Sequence, residues 1–288
     1  INKLNSDKKI EFDGVAYDVE LFLGGDIKFV QLLLGLGSAI SNHACLWCKV
    51  PKSDRFDTSK DFLYYHNSDM FRSINEIMQM SKKCEYGVKH PPLVNIEPHH
   101  IVPDELHLLM RVCDILLRNL IEDAKDLDIQ GQINGDKSNQ SHVSDLVEKI
   151  RSCSVDFNIW KPISGKNDIE WTSLTGSSYK LLLTHLPHKL LFIINPETHD
   201  AVVKLWKGCN QLYEFVNNIC DEDRTPEVIF EKCKTWLDDF IELGKKRKGN
   251  QFHNVTPYMH VLVYHVPFFC INLCEIKTIQ WPGYRKDQ

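Results

Sequence analysis

The sequence predicts a mostly helical protein with a small α/β part near its start, on three observations. Residues 15–23 alternate imperfectly, with Val19, Leu21 and Leu23 on one side and Asp18, Glu20 and Phe22 on the other, and run into Gly24-Gly25; this is the pattern of a strand ending in a turn. From Pro103-Asp104-Glu105 onward, Leu106, Leu109, Met110, Cys113, Leu116, Leu117, Leu120 and Ile121 recur at three- and four-residue spacing, one apolar stripe along a long helix. Two further long helical patterns cover 197–218 and 225–243, the latter opened by Thr225-Pro226-Glu227, a capping residue with proline in the first turn.

Taken in order, Asp26 stands where the first strand hands over to an apolar helix expected over 27–36, with Gly35 and Gly37 as its stop signals. A carboxylate at the C-terminal end of a strand is well placed for chemistry. Residues 44–50 carry Cys45, Trp47 and Cys48 and read as a second strand or a tight knuckle; beyond Pro51 the pattern turns helical. Segments 130–140 and 164–168 have loop chemistry, and a final helix is expected from Thr256-Pro257 onward. No internal repeat is present. The organisation expected is an α/β piece at 1–50, a helical region at 51–252 and a C-terminal helical segment at 253–288.

With 288 residues, 43% hydrophobic and 25% charged, the chain can bury a core. No stretch reaches the ~18 uninterrupted apolar residues of a membrane span, so no membrane association is expected, and Ile1-Asn2-Lys3-Leu4-Asn5 has neither a signal region nor an initiator Met. The chain reads as an internal piece of a soluble protein. Its ten cysteines are too sparse for a disulfide framework, and several, such as Cys113, Cys209, Cys220 and Cys233, sit singly on apolar segments. A reduced nucleus or cytoplasm is expected rather than secretion. A formal charge of -5 excludes a surface that is basic all round, so nucleic-acid contact would rest on a local cluster such as Lys245-Lys246-Arg247-Lys248, which is equally readable as a solvated loop.

The stretch TPYMHVLVYHVPFF near the C-terminus carries His260 and His265, and together with Cys45-Leu46-Trp47-Cys48 it suggests a Cys2His2 zinc site. Thiolates at Cys-x-x-Cys spacing can grip one tetrahedral ion, and His-x3–5-His is a usual complement. One geometric condition applies. Five residues advance an ideal helix by about 500°, so the two rings would diverge by about 140° unless the helix loosens near Val266-Pro267. The pairs are also far apart in sequence, well beyond compact finger spacing. Two other readings stay open: a redox dithiol, disfavoured because Pro51 follows where a helix should open, and buried cysteines with core histidines.

Asp26, then Cys45-x2-Cys48, a long helical stretch and His260-x4-His265 together resemble the catalytic core of DDE-type cut-and-paste transposases. The nearest pattern is that of Transib elements and the vertebrate V(D)J recombinase catalytic subunit. The stretch IVPDELHLLMRVCDILLRNLI is similar to a helix of related transposon-derived proteins. The resemblance covers both ends of the chain well and the middle loosely. It implies a partial RNase H-like core interrupted by a large all-helical insertion, DNA as partner, a possible homodimer and a nuclear location. Asp26 would be the second of three carboxylates, holding magnesium or manganese; Cys45, Cys48, His260 and His265 would hold a structural zinc. The first Asp is expected on a strand before Ile1. The third, a Glu on a helix after the His pair, has no good match, since Glu275 comes too early and the ending from Gln280 does not look like that helix. The chain as it stands is therefore expected not to cut DNA by itself.

Other residues carry weaker signals. Asp13 and Asp18 flank the same strand as Asp26 and are expected to face solvent. His107 and Arg111 could meet a phosphate, but so apolar a helix favours a structural histidine. His99 and His100 are adjacent and should not converge on one ion. Trp160, Trp171, Trp206 and Trp236 could stack on bases, but at helical positions they read as core or interface anchors. Thr184-His185 and His188 have no nucleophile partner, and no phosphate-cradling glycine loop is present. Three classes are left: a DDE enzyme piece, a zinc-stapled DNA- or protein-binding domain without catalysis, and a helical interaction domain.

Overall fold

A computed structural model describes residues 9–67, 69–134, 141–161, 169–217 and 225–270. It is mostly helical, with three two-stranded sheets among these residues. Contacts divide the chain into two units, one drawn from 1–105, 219–231 and 255–288, the other from 106–218 and 232–254. The Cys and His pairs at opposite ends of the sequence thus belong to one unit.

That first unit begins with a hairpin, β1 (Lys9–Phe12) and β2 (Val15–Asp18), in register Ile10 to Tyr17. Asp13 and Gly14 both adopt positive φ, 50° and 76°, the requirement of a two-residue turn matched to strand twist. The strand expected over 15–23 is therefore two strands. Its first part folds back on β1, and only β3 (Leu23–Gly25) continues, pairing in parallel with β4 (Ile101–Pro103). The phase error at Phe22 marks the division.

Asp26 follows β3 and caps α1 (Ile27–Leu33), accepting a hydrogen bond from the Lys28 amide at 3.2 Å. The helix stops near Gly35, which has a φ of 73°; a Cβ there would lie 2.0 Å from the His90 carbonyl oxygen, so both conformation and space demand glycine. Residues 44–50 form a buried knuckle rather than a strand, touching the following segment through one bridge, Cys48 with Phe71. After it come α2 (Tyr64–Asn67) and α3 (Ile74–Ser81), the latter opened by a reciprocal capping box between Ser73 and Glu76.

The long stripe becomes α4 (Glu105–Ile133), 29 residues. It extends through Gln130–Ile133, part of the segment 130–140 expected as loop; a single Gly131 at an exposed helix end costs only about 1 kcal/mol, and its neighbours are good helix formers. The second unit continues with α5 (His142–Arg151), the short pair β5 (Ile159–Trp160) and β6 (Glu170–Trp171), α6 (Gly176–His185) and α7 (His199–Asn217). The helix opened by Thr225-Pro226 is α8 (Pro226–Glu242), and α9 (Pro257–Tyr264) is capped by Thr256, whose hydroxyl accepts from the Met259 amide. No described helix is long and apolar enough to cross a membrane. Segment 164–168, Cys220, Glu275 and the ending from Gln280 lie outside the described residues.

Candidate metal centre

Two local structures bring four ligating side chains together. The knuckle presents Cys45 and Cys48 from one tight turn. Its shape is set by Arg72, fully buried, whose Nε donates to the carbonyls of Cys45 (3.2 Å) and Cys48 (3.0 Å) while Nη2 donates to those of His43 (3.3 Å) and Tyr86 (2.8 Å). Backbone bonds from Lys49 to Met70 and from Arg72 to Trp47 close the turn. Arg55 Nη2 holds the approach to it through the carbonyls of Ser41 and Asn42, Gln31 Nε2 reaches the Ala44 carbonyl at 2.8 Å, and the Trp47 indole donates to the Ile101 carbonyl on β4 at 2.9 Å.

The histidines come from α9, which is apolar on nearly every side and buried accordingly. The helix ends at Tyr264; His265 has φ of -104° and ψ of -35°, and helical structure resumes over 266–270. This interruption is the loosening that the five-residue spacing requires. It arises one residue before Val266-Pro267, because Pro267 lacks the amide that would have continued the ladder. The His260 and His265 rings now lie 5.3 Å apart between centroids.

The result is a closed set. The ligand atoms of Cys45, Cys48, His260 and His265 all lie within 4.8 Å of one another, and all four residues are buried. Cys45 Sγ is 3.2 Å from His265 Nε2, and Cys48 Sγ is 3.3 Å from His260 Nε2. Tetrahedral zinc with sulfur at ~2.3 Å and nitrogen at ~2.0 Å separates neighbouring S and N ligands by about 3.5 Å, so these four donors fit one such ion. With four protein ligands and no solvent-facing position, the set has the form of a structural site, not a catalytic one.

Electrostatics agree with that chemistry. Burial pushes the Cys48 thiol well up, and hydrogen bonding and charge from Cys45 add to it. Burial also opposes ionisation of Cys45, but the hydrogen bond from Cys48 and the charge of His265 outweigh it and pull that thiol well below its usual value. One thiolate is favoured in the pair, and each ionisation opposes the other. Burial lowers the pKa of His260, keeping its imidazole in the neutral form that binds metals. Aromatic side chains exclude water: Tyr65 stands edge-on to His260 at 4.8 Å, and Trp47 packs on His265 and Phe269 at 5.1 and 5.6 Å.

Sequence reasoning missed the supporting residues. Arg72, Arg55 and His66 carry no spacing signal, and only contacts across tens of residues expose them. The structure also extends the reading of Asp26. Because Gly25 pairs with Pro103, Asp26 and Asp104 each follow the last residue of neighbouring parallel strands, so two carboxylates share one end of this sheet. The sequence had presented Asp104 only as the start of a helix. Asp26 is separate from the Cys/His set. Asp13 and Asp18 are exposed on the hairpin, as expected. His100 pairs with Glu20 at 2.7 Å. Of the candidate stacking residues, Trp206 and Trp236 are core, and the Trp236 indole donates to the Leu205 carbonyl at 3.0 Å. In the basic cluster, Arg247 turns inward to Asp123 through Nε (3.1 Å) and Nη2 (2.5 Å), leaving three exposed lysines.

No protein-family model matches this chain, and a search of curated proteins returns no match.

Proposed function

We propose that this chain is part of a DDE-type transposase or recombinase core, derived from a mobile element, in which a structural zinc ion fastens the C-terminal helix to the Cys knuckle. The observation that carries the reading is the convergence of Cys45, Cys48, His260 and His265, residues first matched to that family by sequence order alone. Zinc held there would supply folding free energy and hold α9 in place. In the same reading Asp26, at the end of a parallel strand pair and next in register to Asp104, is a ligand of the magnesium or manganese that such enzymes use; hard cations favour such oxygen donors. The partner is DNA, and a nuclear location follows from that role. The alternative from a different class is a zinc-stapled binding domain without catalysis.

Three measurements test the reading. Purified protein should contain one equivalent of zinc, lost in Cys45→Ser and His260→Ala; protein that folds without stoichiometric zinc would overturn the metal site. Binding to duplex DNA should weaken steeply as salt rises, by counterion release, and manganese-dependent nicking by a longer chain that supplies the other two carboxylates, abolished by Asp26→Ala, would separate the enzyme from the binding domain. A chain with bound zinc that neither binds nor nicks DNA would leave the metal centre standing and remove the transposase assignment.

A further inference from the structure

His66, on α2, belongs to neither ligand pair, yet its Nε2 is 3.0 Å from His265 Nδ1, 199 positions away in sequence. His265 turns its other nitrogen, Nε2, toward Cys45 Sγ. The two rings meet edge to face with centroids 4.8 Å apart. The His66 ring is clamped in turn, stacked on Phe268 at 3.7 Å and 12° and packed near Phe71 at 5.2 Å. We infer that His66 is a positioning residue for the metal centre: it accepts a hydrogen bond from His265 Nδ1–H and so holds that ligand in the tautomer and ring orientation that leave Nε2 free for the ion. The inference rests on the metal-binding reading given above.

A neutral imidazole carries a single ring proton, and ligation through Nε2 requires it on Nδ1. In the described geometry the atom facing His265 Nδ1 is His66 Nε2, which must then be an acceptor. A competing arrangement exists, because the Tyr264 carbonyl oxygen is 3.2 Å from the same Nε2. Were His66 to carry its proton there and donate to that carbonyl, His265 Nδ1 could only accept, and its own proton would sit on Nε2, facing Cys45 and blocking ligation. The two rings therefore change tautomer together, and metal binding selects one of the two states. The selected state places the His66 proton on Nδ1, an atom with no hydrogen-bond partner among the described residues. Partners of this kind typically contribute 10–100-fold to metal affinity.

The test compares two variants in the full chain. His66→Phe keeps a ring to stack on Phe268 but removes the acceptor; His66→Gln supplies an amide oxygen near the place of Nε2. Zinc affinity would be measured by competition with a chelator, and the ligand field would be followed in the cobalt-substituted proteins. His66→Phe should lose about 10–100-fold in affinity and shift the cobalt spectrum, while His66→Gln should stay within several-fold of the parent. Equal affinity for parent and His66→Phe overturns the inference, as does an equal loss in both variants, which would mean that shape alone matters. Nitrogen-15 histidine spectra of the zinc-loaded parent give a reading that needs no variant: a proton on His66 Nε2 would refute it. A parent protein that takes up no zinc would instead sink the metal-binding reading itself.

Discussion

At the scale of single residues, the centre depends as much on what holds the ligands as on the ligands. Arg72 makes four hydrogen bonds to backbone carbonyls from a fully buried position, and no side chain of similar size can replace all four. Arg72→Met should destabilise the protein by about 3 kcal/mol or more, because buried carbonyls are left without donors; urea unfolding of the zinc-loaded protein would measure it. A second expectation concerns acid. Burial, with the charge of His265, lowers the His66 pKa to about 3, and burial lowers that of His260. A folded pKa below the unfolded value of ~6.5 means that the unfolded chain binds more protons in the window between them, so stability rises with pH there. The contribution is complete above about pH 6.5 and is lost as pH falls toward 3. Protonation of the ligands acts in the same direction, and a pH series of thermal unfolding should show a steady loss below that point.

At the scale of elements, the helices that the sequence announces carry either a long apolar stripe, as α4 does, or a local cap. Thr256-Pro257 and Thr225-Pro226 mark real N-termini, because proline and a threonine hydroxyl act within one turn. Elements held by distant partners were not legible. The parallel pairing of β3 with β4 joins segments more than seventy residues apart, and nothing in either segment names the other. The hairpin at Asp13-Gly14 was readable from its turn dipeptide, yet the imperfect alternation that follows hid it. A cap supplied across space illustrates the same point in α5: Asp128 of α4 accepts from the Ser141 hydroxyl (2.5 Å) and from the amides of His142 (2.6 Å) and Val143 (3.3 Å). Burial of Asp128 raises its pKa, but these bonds outweigh it and leave the carboxyl below its usual range. Asp128→Asn should cost about 1–2 kcal/mol, seen as a lower unfolding midpoint.

For the whole molecule, the candidate metal centre brings together residues 212 and 220 positions apart. Closing a loop of that length costs the unfolded chain about 5 kcal/mol of entropy, which a filled Cys2His2 site can offset. Chelation should therefore weaken the first unit selectively. Amide exchange should speed up in the knuckle and α9, while α4, in the second unit, keeps its protection; uniform loss throughout would contradict this. The four ligands themselves were readable in the sequence because Cys-x-x-Cys and His-x4-His are compact signals. Their convergence was suggested by the complementary donor pairs and by the family resemblance, since spacing alone gives no distance between two ends of a chain.

The Arg72 guanidinium hydrogen-bonds only main-chain oxygens, so the shape of the loop does not depend on which imidazoles face it. Ion preference is consequently open to redesign: exchanging an imidazole for a thiolate at position 260 would tilt selectivity toward softer, thiophilic cations such as cadmium while leaving the loop that presents Cys45 and Cys48 as it is.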